Sequence, residues 1–138
     1  NPAFTCDIIV GFPGESDEEF KNTIEGVKKV AFYEVHAFKY SKRKWTLAAK
    51  MEDQIDGNIA QKRSEILIST ALELKNNYIN KELEKKEKIL IESKKDGYLY
   101  GYTPNYIMVR IKSDEDLIGK EIEVTLKEIQ KDVVDAIK

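Results

Sequence analysis

The sequence holds one cysteine and one histidine in 138 residues. Cys6 alone cannot make an internal disulfide framework. It also excludes, within this chain, a metal site or iron–sulfur cluster held by several thiolates. His36 alone excludes a multi-histidine metal site and a histidine-rich catalytic centre. A lone thiol fits a reducing compartment, so the expected location is cytoplasmic. No apolar run approaches the roughly 18 residues that a membrane helix needs. No basic patch precedes the first apolar stretch, so no signal peptide is expected. A strong net charge is missing as well, because 23 Lys and Arg face 25 Asp and Glu, a net of −2. With 41% hydrophobic and 35% charged residues, the composition is that of a soluble globular chain and argues against disorder. The length suits one ordinary domain or two small ones. The first residues are Asn1-Pro2, not methionine, and a strand-like run follows at once, which predicts a piece of a longer protein.

What is present is unevenly spread. Residues 1–74 carry 10 basic and 12 acidic groups, residues 75–112 carry 9 and 5, and residues 113–138 carry 4 and 8. All five Phe precede residue 39, while four of the seven Tyr fall within 98–106. Two compositions predict two domains, 1–74 and 75–138.

In the first, Phe4 to Val10 is a short, nearly continuous apolar run, the pattern of a strand buried on both faces. Gly11-Phe12-Pro13-Gly14 is a turn. Ser16 with Glu19 three residues on forms a capping box, and Phe20, Ile24 and Val27 then mark one face of a helix. Acids in its first turn and Lys28 and Lys29 near its end suit the helix dipole. A second strand is expected over Tyr33–Tyr40, completing a βαβ unit of α/β character. Lys39, Lys42, Arg43, Lys44 and Lys50 then fall in twelve residues without an acid. This segment is either a solvated loop or a loop facing phosphate or carboxylate at the C-terminal end of a strand. A long helical pattern runs from about Asp56 to Leu83, with a candidate break at Asn76-Asn77.

The second part reads as short strands and tight turns. Lys88–Ser93 is a strand, Asp96-Gly97 a hairpin turn, and Tyr98–Tyr102 a strand with three tyrosines on one face. Thr103-Pro104-Asn105 turns the chain into Tyr106–Lys112, with Ile107, Val109 and Ile111 facing inward. Ile122, Val124 and Leu126 alternate in a fourth strand, and Val133–Ile137 is the fifth. Five such strands predict a small antiparallel, OB-like barrel. Its tyrosines beside Lys94, Lys95, Arg110 and Lys112 offer stacking planes next to cations, as an RNA surface would. Packing of Tyr98, Tyr100 and Tyr102 against a neighbouring domain or the barrel's own flank is the alternative.

These segments, taken in order, resemble the radical-SAM methylthiotransferases over nearly the whole chain. Asp7-Ile8-Ile9-Val10-Gly11-Phe12-Pro13-Gly14-Glu15 with Ser16-x-x-Glu19-Phe20 looks like a late strand of their barrel. His36 to Arg43 and Thr46 to Met51 look like the next strand and its loop, and Asp53-Gln54-Ile55 and the helix with Lys62-Arg63 follow in the family's order. Residues from about 75 on are similar to the TRAM domain, an RNA-binding barrel. Within it, Glu92, Asp96-Gly97-Tyr98 and Gly101-Tyr102-Thr103-Pro104-Asn105-Tyr106-Ile107 look like the branch acting on threonylcarbamoyladenosine in tRNA. Other branches act on isopentenyladenosine or on a ribosomal protein, and a stand-alone RNA-binding module without catalysis is a further alternative. The implied fold is α+β in two parts: a βαβ-plus-helix segment of a radical-SAM (TIM-like) barrel, then the TRAM barrel.

The resemblance implies a parent enzyme that uses two 4Fe–4S clusters and S-adenosyl-L-methionine to add a methylthio group at C2 of the modified adenosine beside the anticodon. Neither set of cluster cysteines is in this chain, so the chain alone is expected to be inactive and to bind no cofactor. By the same resemblance, the cofactor-lining residues are Ile9, Val10, Gly11, Pro13, Phe38, Tyr40 and Ser41. The RNA-binding residues are Lys94, Lys95, Tyr98, Tyr100, Tyr102, Asn105 and Arg110. Implied partners are the tRNA anticodon stem-loop and the missing N-terminal portion of the enzyme, with no membrane. Strands cut from a larger barrel leave open edges, which predicts that the first half either self-associates through them or is poorly ordered, while residues 86–138 fold as a compact barrel. Two departures from the family, Lys39 in place of Pro and Trp45 in place of Gly, predict a differently shaped loop after the second strand. Cys6 is expected to be a small buried hydrophobe, and His36 a strand residue rather than a base.

Overall fold

Ile8 and Val10 point to the same side of a strand, and the burial they require organises the first part of the chain. In a computed structural model, which describes residues 2–138, Thr5–Val10 (β1) and Glu34–Lys39 (β2) pair in parallel. The helix Asp17–Val30 (α1) connects them, and Gly57–Asn80 (α2) follows. Phe20 and Val27 of α1 and Leu67 of α2 close over Val10, with Ile8, Val35 and Ala37 packed against them. Val10 and Leu67 lose all solvent contact, each worth about 1.5–3 kcal/mol by area. The capping box forms as expected: Glu19 N–H donates to Ser16 Oγ at 3.1 Å, and Ser16 N–H donates to the Glu19 carboxylate at 2.8 Å.

Two expectations change here. β1 is covered on one face only, since both helices contribute to the cluster over Ile8 and Val10, and Ile9 on the other face stays 53% exposed. The candidate break at Asn76-Asn77 is absent, and α2 runs unbroken for 24 residues. Burial of Tyr78 and Ile79 just beyond outweighs the few tenths of a kcal/mol that each Asn costs a helix, about 0.7 at most.

The chain divides into two compact units, Phe4–Lys75 and Asn76–Lys138, the latter grouped with Pro2 and Ala3. The second unit holds five strands: Lys86–Lys95 (β3), Tyr98–Tyr102 (β4), Met108–Lys112 (β5), Glu121–Gln130 (β6) and Val133–Ile137 (β7). They close into a barrel in the order β3-β4-β5-β7-β6. The sequence predicts this barrel as antiparallel, whereas β5 and β7 pair in parallel. The reason is geometric: an odd number of strands cannot alternate in direction all the way round a closed ring. The fold is therefore α+β, a βαβ-plus-helix segment followed by a mixed five-stranded barrel.

Ile89, Ile91, Leu99, Ile107, Val109, Ile111, Val124, Leu126 and Val134 fill the barrel, each at most 2% exposed. β3 and β6 extend beyond the strands read from sequence because each carries a bulge, at Ile91/Ser93 and at Leu126/Glu128, that lets it bend between two neighbours. Asp96 and Gly97 both take positive φ, 51° and 78°, as a two-residue hairpin turn requires. No helix among the described residues is long and apolar enough to cross a membrane.

Candidate nucleic-acid interface

Alternation along β4 puts Leu99 and Gly101 inside the barrel and Tyr98, Tyr100 and Tyr102 outside, half-buried. Their cross-strand neighbours on β5 are Lys112, Arg110 and Met108. On the β3 side they are Lys95, Ser93 and Leu90. The structure thus brings Lys95, Arg110 and the three tyrosines onto one outer face. Arg110 is not an unattached cation there. Its guanidinium lies 4.7 Å from the Tyr98 ring centroid and is paired with both carboxylate oxygens of Asp135 on β7. The hydrogen bond that it donates to Asp135 holds the guanidinium well above its ordinary pKa.

Two of the residues expected to contact RNA lie elsewhere. Lys94 pairs with the buried Leu99, so it leaves β3 on the opposite side from the tyrosines, and its ammonium donates to the Asp114 carbonyl at 2.8 Å. Asn105 has both ends of its amide engaged. It accepts from Thr103 Oγ1 at 2.6 Å and donates to the Tyr78 hydroxyl at 2.9 Å. Thr103, 4% exposed, also accepts from Ile107 N–H at 2.9 Å, so this corner is a structural brace. Burial pushes the Tyr78 phenol up, and the bond from Asn105 opposes it.

Sequence reasoning missed what the brace presents. Tyr106 stands at φ 63° and is 76% exposed beyond the turn. With Leu90, Tyr102, Pro104, Lys88 and two carboxylates, Glu92 and Glu121, it lines a groove of about 380 Å³. A second hollow of about 260 Å³ lies between Glu92, Ser93, Lys95, Tyr100, Tyr102 and Met108. Tyr102 and Glu92 belong to both. Concavities with aromatic walls and mixed charge at the rim can take flat rings between them. The detectable signal was the fourth tyrosine of the 98–106 cluster.

In the first unit, Ile9 and Phe38 are paired in register, 53% and 51% exposed, on the face away from the helices. Val10 faces the core instead, and its carbonyl accepts from Tyr40 N–H at 2.9 Å. Gly11 is required by packing against α2: at φ 71°, a Cβ there would lie 2.7 Å from Ala60 Cβ. Pro13 is buried and Ser41 exposed. The Tyr40 ring meets Phe12 edge-on at 5.3 Å, and its hydroxyl is buried without a hydrogen-bond partner. Cys6 is half-buried, its thiol pushed up by burial and by Asp7. His36 is exposed, opposite Asp7.

A feature not read from sequence ties this unit together. Arg63, 5% exposed, donates to Glu15 Oε1 at 2.6 Å, to the Glu15 carbonyl at 2.9 Å and to Asp17 at 2.7 Å. Burial works against its charge, but the hydrogen bonds to Asp17 and Glu15 outweigh it and keep the pKa raised. Among the described residues no group of histidine, cysteine and carboxylate side chains is placed to hold a metal ion.

No family model matches the chain. Over 90% of its length it is 43% identical to threonylcarbamoyladenosine tRNA methylthiotransferase MtaB of Bacillus subtilis, covering 29% of that protein. It is 38% identical over 91% of its length to tRNA-2-methylthio-N(6)-dimethylallyladenosine synthase of Campylobacter jejuni, covering 30% of it. The synthase of the same name from Lachnoclostridium phytofermentans is 36% identical over 93% of the chain, which covers 29% of it. The chain therefore spans under a third of the length of the curated relatives it matches.

Proposed function

From the premise that this chain is homologous to the C-terminal region of the tRNA methylthiotransferases, we propose that it is the tRNA-gripping end of such an enzyme. The barrel, residues 75–138 in this reading, is the TRAM domain and holds the anticodon stem-loop. Residues 1–74 contribute the last part of a radical-SAM barrel. The observation that carries the reading is the outward row of Tyr98, Tyr100 and Tyr102 beside Lys95, Lys112 and Arg110. Stacking planes alternate with cations on a surface whose opposite side is the barrel core, and the β4–β5 face is where barrels of this topology take oligonucleotides. Higher identity to the threonylcarbamoyladenosine enzyme than to the dimethylallyladenosine enzymes supports the former as the substrate branch.

S-adenosylmethionine fits the first unit in part. Ile9 and Phe38 offer a flat apolar wall for an adenine, and Tyr40, whose ring packs on Phe12, holds a buried hydroxyl without a partner. Val10 and Gly11 shape that wall through the backbone, since their packing is directed to the core and to Ala60. When bound, the cofactor supplies the radical chemistry of the family, which also needs clusters whose cysteines this chain lacks. The chain by itself binds RNA and does not catalyse.

The test is binding of this chain to an anticodon stem-loop, with an unrelated hairpin as control, at two salt concentrations. Salt-sensitive binding that favours the stem-loop and weakens about tenfold in Tyr100→Ala supports the reading, as one base stack is worth about 1–3 kcal/mol. Binding unchanged by Tyr100→Ala and Tyr102→Ala, or no binding at all, would overturn the assignment of this face.

A further inference from the structure

The most exposed aromatic described in the first unit is Trp45, at 93% the most exposed large hydrophobic side chain described. It lies in the basic segment after β2, where Lys42, Arg43, Lys44 and Lys50 carry four positive charges and residues 41–50 contain no acid. Among the described residues these four cations form no ion pair. The loop is nonetheless well tied. Thr46 donates to the Arg43 carbonyl through both N–H and Oγ1, at 3.3 and 2.9 Å, and its Oγ1 accepts from Ala49 N–H. Gln54 clamps the far side by donating to the Ala48 and Met51 carbonyls, both at 2.9 Å. At the tip, Trp45 is held at φ 73°, a conformation that disfavours a bulky side chain. A braced loop that holds an indole in water on a strained backbone, flanked in sequence by cations without an ion pair among the described residues, has the chemistry to meet a flat anionic ligand.

We propose that this loop is a second RNA-contacting element, in which Trp45 stacks on an unpaired nucleobase while Lys42, Arg43, Lys44 and Lys50 meet the flanking phosphates. The charge complementarity selects a polyanion, and the exposed indole selects one that carries planar bases. The inference deepens the tRNA reading and rests on it for the identity of the RNA, but it uses none of the barrel's residues.

Trp45 is the sole tryptophan of the chain, so its fluorescence reports on this loop alone. The experiment titrates the chain with an unstructured, end-labelled oligoribonucleotide and follows indole emission and label anisotropy together. The expected result is saturable quenching that tracks anisotropy, and an affinity about 5- to 100-fold lower in Trp45→Gly. Glycine suits the positive φ, so that variant folds at least as well as the parent, which circular dichroism checks. Polyglutamate is the control, and equal quenching by it would overturn the proposal in favour of an acidic protein partner. Anisotropy that rises without quenching and is unaltered in Trp45→Gly would overturn the loop proposal while leaving the barrel reading intact. Quenching that persists with Tyr100→Ala at unchanged affinity would support the loop and count against the barrel. No response in either signal would overturn the loop proposal, while the barrel reading is decided by the stem-loop titration.

Discussion

The guanidinium of Arg110 lies 4.7 Å from the centre of the Tyr98 ring and is paired with Asp135 at the same time. One side chain thus fixes an aromatic plane on β4 and crosses to β7, whose Asp135 already balances its charge. In the proposed RNA interface, its part is to position Tyr98. Lys95, exposed at the start of the hairpin turn with no ion pair among the described residues, is a cation with charge to give.

The two residues should therefore separate by salt dependence. Lys95→Gln lowers RNA affinity and reduces the slope of log K against log salt by about 1, the loss of one phosphate contact. Arg110→Gln lowers affinity with a smaller change in slope, because its counter-charge is intramolecular. Binding isotherms at four salt concentrations decide this, and an equal loss of slope in both variants would refute the positioning role.

Gly101 sits where β4 passes the bulge of β3, and a Cβ there would lie 2.2 Å from the Leu90 carbonyl oxygen. Backbone, not a flexible side-chain end, occupies that space. Gly101→Ala should destabilise the barrel by about 3 kcal/mol or more, the upper end of overpacking costs. Urea unfolding measures it, and hydrogen exchange should show protection lost first in β3 and β4. A cost below about 1 kcal/mol would mean that the strands separate readily here.

Much of this barrel is legible in sequence because its signals are local. The Asp96-Gly97 turn and the alternation through Leu99, Val109, Val124 and Val134 depend on neighbours in the chain. The parallel β5–β7 pair is not local, as it follows from ring closure. Asn105 and Lys94 read as RNA ligands because their types suit RNA, yet their partners, Tyr78 and the Asp114 carbonyl, lie 27 and 20 residues away. The same distance hid Arg63, whose carboxylate partners are 48 and 46 residues earlier. Ile9 and Phe38 are exposed together only because β1 and β2 align in register, which periodicity within either strand does not state.

The capping box gives a pH prediction. The Ser16 backbone N–H, and then its hydroxyl, hold the Glu19 carboxyl below its ordinary value of 4.5. A folded-state pKa below the unfolded one means that this contribution to stability is complete above the unfolded value and is lost as pH falls through the folded one. Ser16→Ala keeps the backbone N–H and removes only the hydroxyl, so it should bring Glu19 part of the way back toward the ordinary range in a carboxyl NMR titration. An unchanged titration would show that the Ser16 hydroxyl does not hold the carboxylate in solution.

Arg63 and Glu15 provide the last test. The Asp17 half of the cluster is 98% exposed in its side chain, where an ion pair is worth about 0–1 kcal/mol. Glu15 is 13% exposed, and its Oε1 also accepts from Gly11 N–H at 2.9 Å, so it joins α2 to the turn after β1. Asp17→Asn should therefore cost under about 1 kcal/mol, whereas Arg63→Ala, which leaves Glu15 buried without its counter-charge, should cost about 3 kcal/mol or more. Arg63→Met should recover part of that loss by restoring packing against Phe20, over whose ring the guanidinium lies at 5.5 Å. Urea unfolding of the three variants supplies the comparison. Equal costs for Asp17→Asn and Arg63→Ala would show that the buried half of the cluster contributes nothing, and that the Gly11–Glu15 turn is held by Ala60 packing alone.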